Sequence, residues 1–379
     1  LATALPPMAP PNILFVLPDQ HRPDFLGTNA ALPVRTPTLD TLAERGVRFT
    51  NAVCPSPLCA PSRAALASGR NYDRCGVPNH DHDYPPEQPT YYRQLRNAGY
   101  HVAGVGKFDL HKSTSYWGPD GTHQIESWGF TQGTDHAGKW DLVASAQRYA
   151  APDFDPYAAF LHQRGLLDAH VEDYEKRHPY RDTHPTPLPP SAYCDNWIAR
   201  NALHQLYGFS TERPWHLVVN FAGPHDPMDV TQSMRERWSD VAFPPPHAPQ
   251  NDIDPDQHTA IRQNYAAMIE NIDRHVGRFL DAVEARGERD RTLVVYASDH
   301  GEMLGDHGRW GKKTFYQPAV GVPLIVAGPG VQQNHVSDAP VSLREGGAAA
   351  GDTGPGSAAD TCASSPTGRR RRGGSAGGP

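Results

Sequence analysis

Polar side chains that could do chemistry follow four apolar runs of the sequence. They are Asp19 after NILFVLP, Lys107 after YHVAGVG, His225 after WHLVVNFAGP, and Asp299 with His300 after TLVVYAS. Any one of them could be an ordinary turn or capping residue. If the runs are parallel strands, however, their carboxyl ends meet at one rim of the sheet, where α/β proteins collect their chemistry. Two carboxylates, two imidazoles and an ammonium at one rim suit a hard divalent cation held beside an anionic group.

Cys59 lies between the first two of these runs, in the segment PLCAPSRAALASGR. Pro61 followed by small, helix-favouring residues predicts a loop that turns into a helix, with Ser62 and Arg63 in its first turn. Cys59 would then lie at the positive end of that helix, where a thiolate is stabilised. The alternative is a buried and inert thiol, the more common state of a free cysteine. The residues alone leave both interpretations open.

The elements that must position these residues alternate between strands and helices. The runs above, together with VPLIVAG, read as strands, and helical segments lie between them, the longest being QHTAIRQNYAAMIENIDRHVGRFLDAVEARG. This order predicts an α/β fold with a mostly parallel central sheet and helices on both faces. The region from Ser113 to Pro190 lacks clear periodicity and predicts loops with short helices near a binding cleft.

Composition narrows the classes of function. The chain has 379 residues, 38% hydrophobic and 20% charged, with a net charge of -7. No apolar run approaches the roughly 18 residues of a membrane span, and the acidic balance gives no general reason to bind nucleic acid. We therefore expect neither a membrane nor a nucleic-acid partner, and the run Arg369 to Arg372 has no support elsewhere in the chain. Five cysteines without regular spacing and an N-terminus without a basic segment predict a cytoplasmic protein.

The segment Cys59-Ala60-Pro61-Ser62-Arg63 resembles the C-x-P-S-R signature of type I, formylglycine-dependent sulfatases, which belong to the alkaline phosphatase superfamily. The resemblance extends to the DQ after the first strand and to GKFDLH, GPHDP and SDHGEMLGDHGRWGKKTFYQ, in the family's order. It implies an alkaline-phosphatase-like α/β/α sandwich and a sulfuric ester hydrolase of the arylsulfatase type. In that family a separate maturation enzyme oxidises the signature cysteine to formylglycine, which makes this enzyme an expected partner.

The resemblance also implies a metal site. Asp19, Asp299 and His300 would ligate a divalent cation, calcium in the first instance with Mg²⁺ or Mn²⁺ as alternatives. An oxygen of the formylglycine derived from Cys59 would complete the site. Oxygen-rich ligation fits a hard cation. One hydroxyl of the metal-bound aldehyde hydrate would then attack the sulfur of a small sulfated substrate.

The remaining catalytic roles follow from the same resemblance. Arg63, Lys107 and Lys312 would hold the sulfate oxygens and neutralise developing charge. His225 would protonate the departing alkoxide as a general acid. The resulting sulfate ester of the hydrate would break down by expelling sulfate and restoring the aldehyde.

Two positions depart from the family pattern. Gln20 stands where a second aspartate is frequent, so we do not count it as a metal ligand. The family motif G-K-x-H ends here in Asp109, so the histidine expected to deprotonate the intermediate is absent. Asp109 or His111 could replace it, and the sequence leaves the choice open.

Other histidines and tryptophans could line a substrate pocket, but an ordinary structural role is the leading interpretation. We expect solvated loop histidines at His80, His82, His123 and His136. We expect Trp117, Trp128 and Trp140 to pack in the core or in loops, or else to stack on a substrate ring.

The family pattern predicts three segments: an N-terminal extension over 1–11, a catalytic domain over 12–343, and a tail over 344–379. The tail is rich in Gly, Ala and Arg, and we expect it to be disordered. The smaller C-terminal domain usual in the family would be missing, and a frameshift, testable by resequencing, would explain this. Two alternatives to sulfate hydrolysis remain: a phosphonate monoester or phosphodiester hydrolase of the same superfamily, and a truncated inactive remnant.

Overall fold

An eight-stranded sheet forms the centre of the protein in a computed structural model that describes residues 10–249 and 253–344. The strand order is β5-β4-β6-β1-β7-β8-β2-β9, and β3 pairs with β10 in a separate two-stranded sheet. The strands are β1 (Asn12–Val16), β2 (Gly46–Phe49), β3 (Ala52–Val53), β4 (His101–Gly106), β5 (Gln132–Asp135), β6 (Trp215–Asn220), β7 (Thr292–Ala297), β8 (Leu324–Ala327), β9 (His335–Ser337) and β10 (Val341–Ser342). All neighbours in the large sheet pair in parallel except β8, which runs antiparallel to both β7 and β2.

Helices cover both faces of this sheet. They are α1 (Pro37–Glu44), α2 (Cys59–Ser68), α3 (Tyr91–Asn97), α4 (Ile125–Trp128), α5 (Trp140–Arg148), α6 (Pro156–Gln163), α7 (Leu167–Lys176), α8 (Cys194–Gly208), α9 (Gln232–Glu236), α10 (Pro255–Ala285) and α11 (Gln317–Val320). Along β1, Leu14 and Val16 point into a core shared with α1, α8 and α10. Ile13 and Phe15 point into a second core shared with α2 and α3. Because successive strand residues face opposite sides, an entirely apolar strand fits burial on both faces.

The predicted fold class is confirmed: an α/β/α sandwich with a mostly parallel sheet. All five predicted strands form, as do the main predicted helices. The region from Ser113 to Pro190 contains the expected short helices, but it also supplies β5, which the sequence analysis missed. The sequence of β5, Gln-Gly-Thr-Asp, carries no apolar side chain. It forms a strand because its backbone pairs with the edge of β4.

The strand ends bring the predicted rim together. Gly106 ends β4 at φ 115°, and a Cβ there would lie 1.9 Å from the Asn220 carbonyl oxygen of β6. Only glycine allows the two strands this close approach, and Lys107 follows directly. Within the described ranges, no helix combines the length and apolar character needed to cross a membrane. The predicted extension over 1–11 and tail over 344–379 lie outside the described residues, except for 10–11 and 344.

Candidate active site

Four side chains that could ligate a metal converge at the carboxyl ends of β1 and β7. One ligand atom from each of Asp19, Cys59, Asp299 and His300 lies within 4.8 Å of the others. The Cys59 Sγ atom is 3.1 Å from His300 Nε2 and 3.8 Å from Asp19 Oδ1. All four residues are at most 1% exposed. The structure thus brings together the whole metal group expected from the sequence.

Cys59 occupies the first position of α2, as the sequence predicts. The preceding Leu58 is extended, and Ser62 Oγ donates to the Asp299 carbonyl at 2.6 Å, which ties the first turn to the end of β7. Burial raises the pKa of the Cys59 thiol, but Lys107, Lys312 and the other cations around it together hold that pKa well below its usual value. The full burial of Cys59 agrees with an inert thiol, whereas the surrounding cations agree with a reactive one, so its reactivity stays a prediction.

Arg63 lies on the carboxylates of this group. Its Nε donates to Asp299 Oδ2 at 2.8 Å, and a terminal nitrogen is 3.3 Å from Asp19 Oδ2. The other terminal nitrogen donates to the Lys107 carbonyl at 2.5 Å. The planar guanidinium therefore orients both carboxylates at once, as forked geometry permits. Its contact with sulfate stays a prediction.

Lys107 and Asp109 enter the site together. The Lys107 Nζ atom is 2.5 Å from Asp19 Oδ2 and 3.2 Å from Asp109 Oδ2. Burial lowers the pKa of Lys107, but these two carboxylates raise it well above its ordinary value. For Asp109 the effects are opposite in sign: burial raises its pKa, but Lys107 and Lys112 outweigh burial, so the pKa falls below its ordinary value. Asp109 is thus an ionised acceptor at the centre of the site.

His111 faces away from this centre. Its Nε2 is 3.1 Å from the Tyr116 carbonyl, and its Nδ1 is 3.3 Å from Asp135 Oδ2. Burial is the main reason that its pKa falls to about 4, while burial raises the pKa of Asp135. Within the described part of the chain, neither His111 Nδ1 nor Asp135 Oδ2 makes a hydrogen bond, although both atoms are buried. The hydrogen bond of the ring is thus the one between Nε2 and the Tyr116 carbonyl, in the loop after β4.

Lys312 and His225 form the opposite side of the site. Lys312 Nζ donates to His225 Nε2 at 2.7 Å, and it also contacts the side-chain oxygen of Gln20. The Nδ1 atom of His225 is 2.7 Å from the Asp226 carbonyl, so it carries the proton, and Nε2 faces the lysine. Burial lowers the pKa of Lys312, but Cys59 and Asp19 raise it overall.

Gln20 and Glu302 are site residues that the sequence analysis did not assign. The Gln20 backbone N–H donates to Asp299 Oδ1 at 3.0 Å, and its amide nitrogen donates to Glu302 Oε2. Glu302 is fully buried, which raises its pKa. Glu302 thereby orients the side-chain amide of Gln20, whose oxygen contacts Lys312. The acidic residue two positions after His300 in SDHGE was the available signal.

For the other histidines and tryptophans considered above, the expected structural roles, solvated loop histidines and packed tryptophans, are mostly correct. Trp117 and Trp128 are each 1% exposed and pack in the two cores, while His82 and His123 are exposed. The expectation was wrong for His136, which is 0% exposed because it follows β5 into the interior. Burial lowers its pKa to about 3, so the ring is neutral.

A family model described as "Sulfatase" matches residues 11–346 of this chain. A choline-sulfatase of Rhizobium meliloti is 30% identical over 353 residues, covering 85% of this chain and 63% of that protein. An arylsulfatase of Clostridium perfringens is 24% identical, covering 84% of this chain and 69% of its own length. The chain thus spans about two thirds of the length of these relatives, and less than two thirds of the first.

Solved structures share the fold. A phosphonate monoester hydrolase of Agrobacterium radiobacter has a TM-score of 0.71 at 22% identity, over 88% of this chain and 71% of that one. The corresponding enzyme of Silicibacter pomeroyi has a TM-score of 0.73, also at 22% identity, over 90% and 73%. At these identities the likeness concerns the fold alone.

Proposed function

The chain belongs to the sulfatase family, and from this membership we propose that it hydrolyses a sulfate monoester with a nucleophile formed from Cys59 after translation. The observation that carries the proposal is the place of Cys59. Its Sγ atom lies at the N-terminus of α2, 3.1 Å from His300 Nε2 and beside Asp19. A formylglycine there would present its oxygens to the same group of residues.

The donor set of the site fits a divalent cation. Asp19 and Asp299 offer buried carboxylates, His300 offers Nε2, and all lie within the 4.8 Å group. Carboxylate oxygens favour a hard ion, so we propose calcium, with magnesium or manganese as alternatives. When bound, the cation would neutralise charge on the sulfate and lower the pKa of an oxygen nucleophile.

The cationic side chains define where the sulfate would bind. Lys107 lies at the end of β4 and Lys312 in the segment after β7, and both stabilise negative charge at the Sγ atom of Cys59. We propose that they hold the sulfate oxygens, while Arg63 keeps Asp19 and Asp299 in place and contributes its charge. Lys312 would then turn from His225 Nε2 to the substrate.

Proton transfer falls to His225 and Asp109. The His225 ring is held through Nδ1. Once Lys312 turns away, Nε2 would take up a proton, and the imidazolium would pass that proton to the departing alcohol. Asp109, ionised and 3.2 Å from Lys107 Nζ, would accept the proton when sulfate is expelled. We prefer Asp109 to His111 because Asp109 lies beside Lys107, whereas the hydrogen bond of the His111 ring goes from Nε2 to a backbone carbonyl in the loop after β4.

Mass analysis of the Cys59 peptide tests the first step. After co-expression with a formylglycine-generating enzyme, we expect the cysteine to be converted to the aldehyde. The purified protein should then turn over 4-nitrophenyl sulfate faster than an aryl phosphonate monoester, and Cys59→Ala should abolish both activities. Choline sulfate belongs in the panel because a relative is a choline-sulfatase. An unmodified thiol with no turnover would overturn the proposal, and faster phosphonate turnover would favour the alternative hydrolase.

We also propose that residues 12–343 form the catalytic domain and that the protein acts in the cytoplasm. The span of the family match, 11–346, supports the first proposal. The four described cysteines are unpaired and buried, which agrees with a reducing compartment. Cell fractionation tests the location directly.

A further inference from the structure

The segment from His136 to Trp140, directly after β5, lies between the loop that carries Lys107 and the loop that carries His225. Gly138 has φ +80°, and a side chain there would come within 2.8 Å of Lys107 Cδ. Glycine thus lets the backbone adopt this conformation against the lysine stem. One side of the segment therefore packs on Lys107.

The other side of the segment holds the main chain around His225. Lys139 Nζ donates to the His225 carbonyl at 2.7 Å and to the Pro227 carbonyl at 3.2 Å, and pairs with Asp229 Oδ1 at 2.6 Å. The next residue, Trp140, donates its Nε1 to Asp226 Oδ2 at 2.8 Å. Two adjacent side chains thus hold four of the five residues from 225 to 229.

The Lys139 ammonium is completely enclosed, its side chain being 2% exposed. An ammonium in the interior requires compensation of its charge and hydrogen bonds. Asp229 supplies the charge and is itself fixed, because Tyr174 donates its hydroxyl to Asp229 Oδ2 at 2.8 Å. Met268 Sδ, 3.3 Å from the Lys139 Nζ atom, is a fourth and weaker acceptor. The three oxygen acceptors surround the ammonium, and two of them are carbonyls of the 225–229 backbone, so Lys139 holds the path of that backbone.

We propose that Lys139 is a positioning residue for His225, an inference that rests on the proposed function. The imidazole is oriented by its Nδ1 contact with the Asp226 carbonyl, which belongs to the segment that Lys139 and Trp140 hold. Lys139 thereby directs Nε2 of His225 towards the leaving group. Since Gly138 packs on Lys107, the same segment fixes the separation between the sulfate-binding lysine and the proton donor.

The test removes the ammonium without leaving an unpaired buried carboxylate. In Lys139→Met with Asp229→Asn, both charges disappear, and the asparagine oxygen can still accept from Tyr174. Lys176→Met is the matched control, because Lys176 is an exposed lysine paired with Glu172. Circular dichroism and thermal unfolding establish that each variant is folded.

Steady-state kinetics on two sulfate esters then separate positioning from general damage. Phenyl sulfate has a poor leaving group that needs protonation, whereas 4-nitrophenyl sulfate hardly does. General acid catalysis contributes roughly 10²- to 10⁴-fold, so we expect the double variant to lose ~10- to 100-fold in kcat on phenyl sulfate and less than about 3-fold on 4-nitrophenyl sulfate. An equal loss on both esters, or no loss, would overturn the inference.

A crystal structure of the double variant gives a readout that does not depend on activity. We expect the 225–229 backbone and the His225 ring to move while the rest of the site stays in place. An unmoved His225 ring would overturn the role of Lys139. Absence of turnover by the unaltered protein on both sulfate esters would refute the proposed function instead, so the two failures are distinguishable.

Discussion

Asp273→Asn should change how the stability of the protein depends on pH. Asp273 lies in α10, and its carboxylate accepts the backbone N–H groups of Leu39 at 2.8 Å and Thr38 at 3.2 Å, in the first turn of α1. The N-cap residue of α1, Thr36, makes no capping hydrogen bond. Asp273 therefore caps a helix that lies more than 200 residues away in the chain.

The size and sign of this pH dependence follow from the burial of the Asp273 carboxyl group. Burial raises the pKa of Asp273 from 3.8 to about 6, although the hydrogen bonds from α1 oppose the shift. A raised pKa means that the folded protein binds the proton more tightly. The contribution to the free energy of unfolding is thus complete below pH 3.8 and lost as the pH rises through about 6. At 1.36 kcal/mol per pKa unit, the loss approaches ~3 kcal/mol.

Urea denaturation from pH 4 to pH 7.5 measures this difference. The asparagine variant has no carboxyl to titrate at this position. The free energy of unfolding of the variant minus that of the unaltered protein should therefore increase by up to ~3 kcal/mol from the low to the high end of this pH range. Asp281→Asn, on the exposed side of the same helix, controls for the change in net charge. A difference that stays constant with pH, or that shrinks as the pH rises, would refute the reasoning.

Three further predictions concern the site and its scaffold. Asp109→Asn should lower kcat on 4-nitrophenyl sulfate by ~10²-fold because it removes the proton acceptor, whereas His111→Asn should lower the free energy of unfolding instead. Steady-state kinetics and urea denaturation of both variants measure the two effects. The reverse pattern would assign the proton acceptor to His111. Dialysis against a chelator should abolish turnover and added calcium should restore it, because the buried carboxylates suit a hard cation; turnover that survives chelation contradicts the metal site. Asp155→Ala should lower the free energy of unfolding by ~2 to 4 kcal/mol, since the carboxylate accepts three backbone N–H groups, two of them at the start of α6; a loss under ~1 kcal/mol in denaturant titration would contradict that estimate.

The contacts of Arg63 illustrate what the sequence could not specify. The signature places this residue four positions after Cys59, as the fifth residue of α2, and the sequence analysis predicts that helix. Its partners Asp19 and Asp299 are 44 and 236 residues away in the chain. Spacing within a helix cannot reveal them, because they depend on which strand ends become neighbours.

The sequence analysis did not predict β5 and the segment after it, nor strands β2 and β9 of the same sheet. Gln132–Asp135 has no apolar periodicity, so neither the strand nor the burial of His136 and Lys139 could be read from it. The antiparallel direction of β8 was equally invisible, since an apolar run has the same composition in either direction. These features follow from pairing with a sheet that already exists.

The sequence by itself determined five of the eight strands of the large sheet, the main helices and the residues of the rim, because apolar runs and the residues that end them are local properties of the chain. It also determined the position of Cys59 at the start of a helix. Only the tertiary structure decided that Asp109 rather than His111 faces Lys107, that Gln20 holds Lys312, and that Lys139 lies against the backbone of His225. The physical reason is that these contacts join residues distant in the chain, and their directions depend on packing and hydrogen bonding in three dimensions.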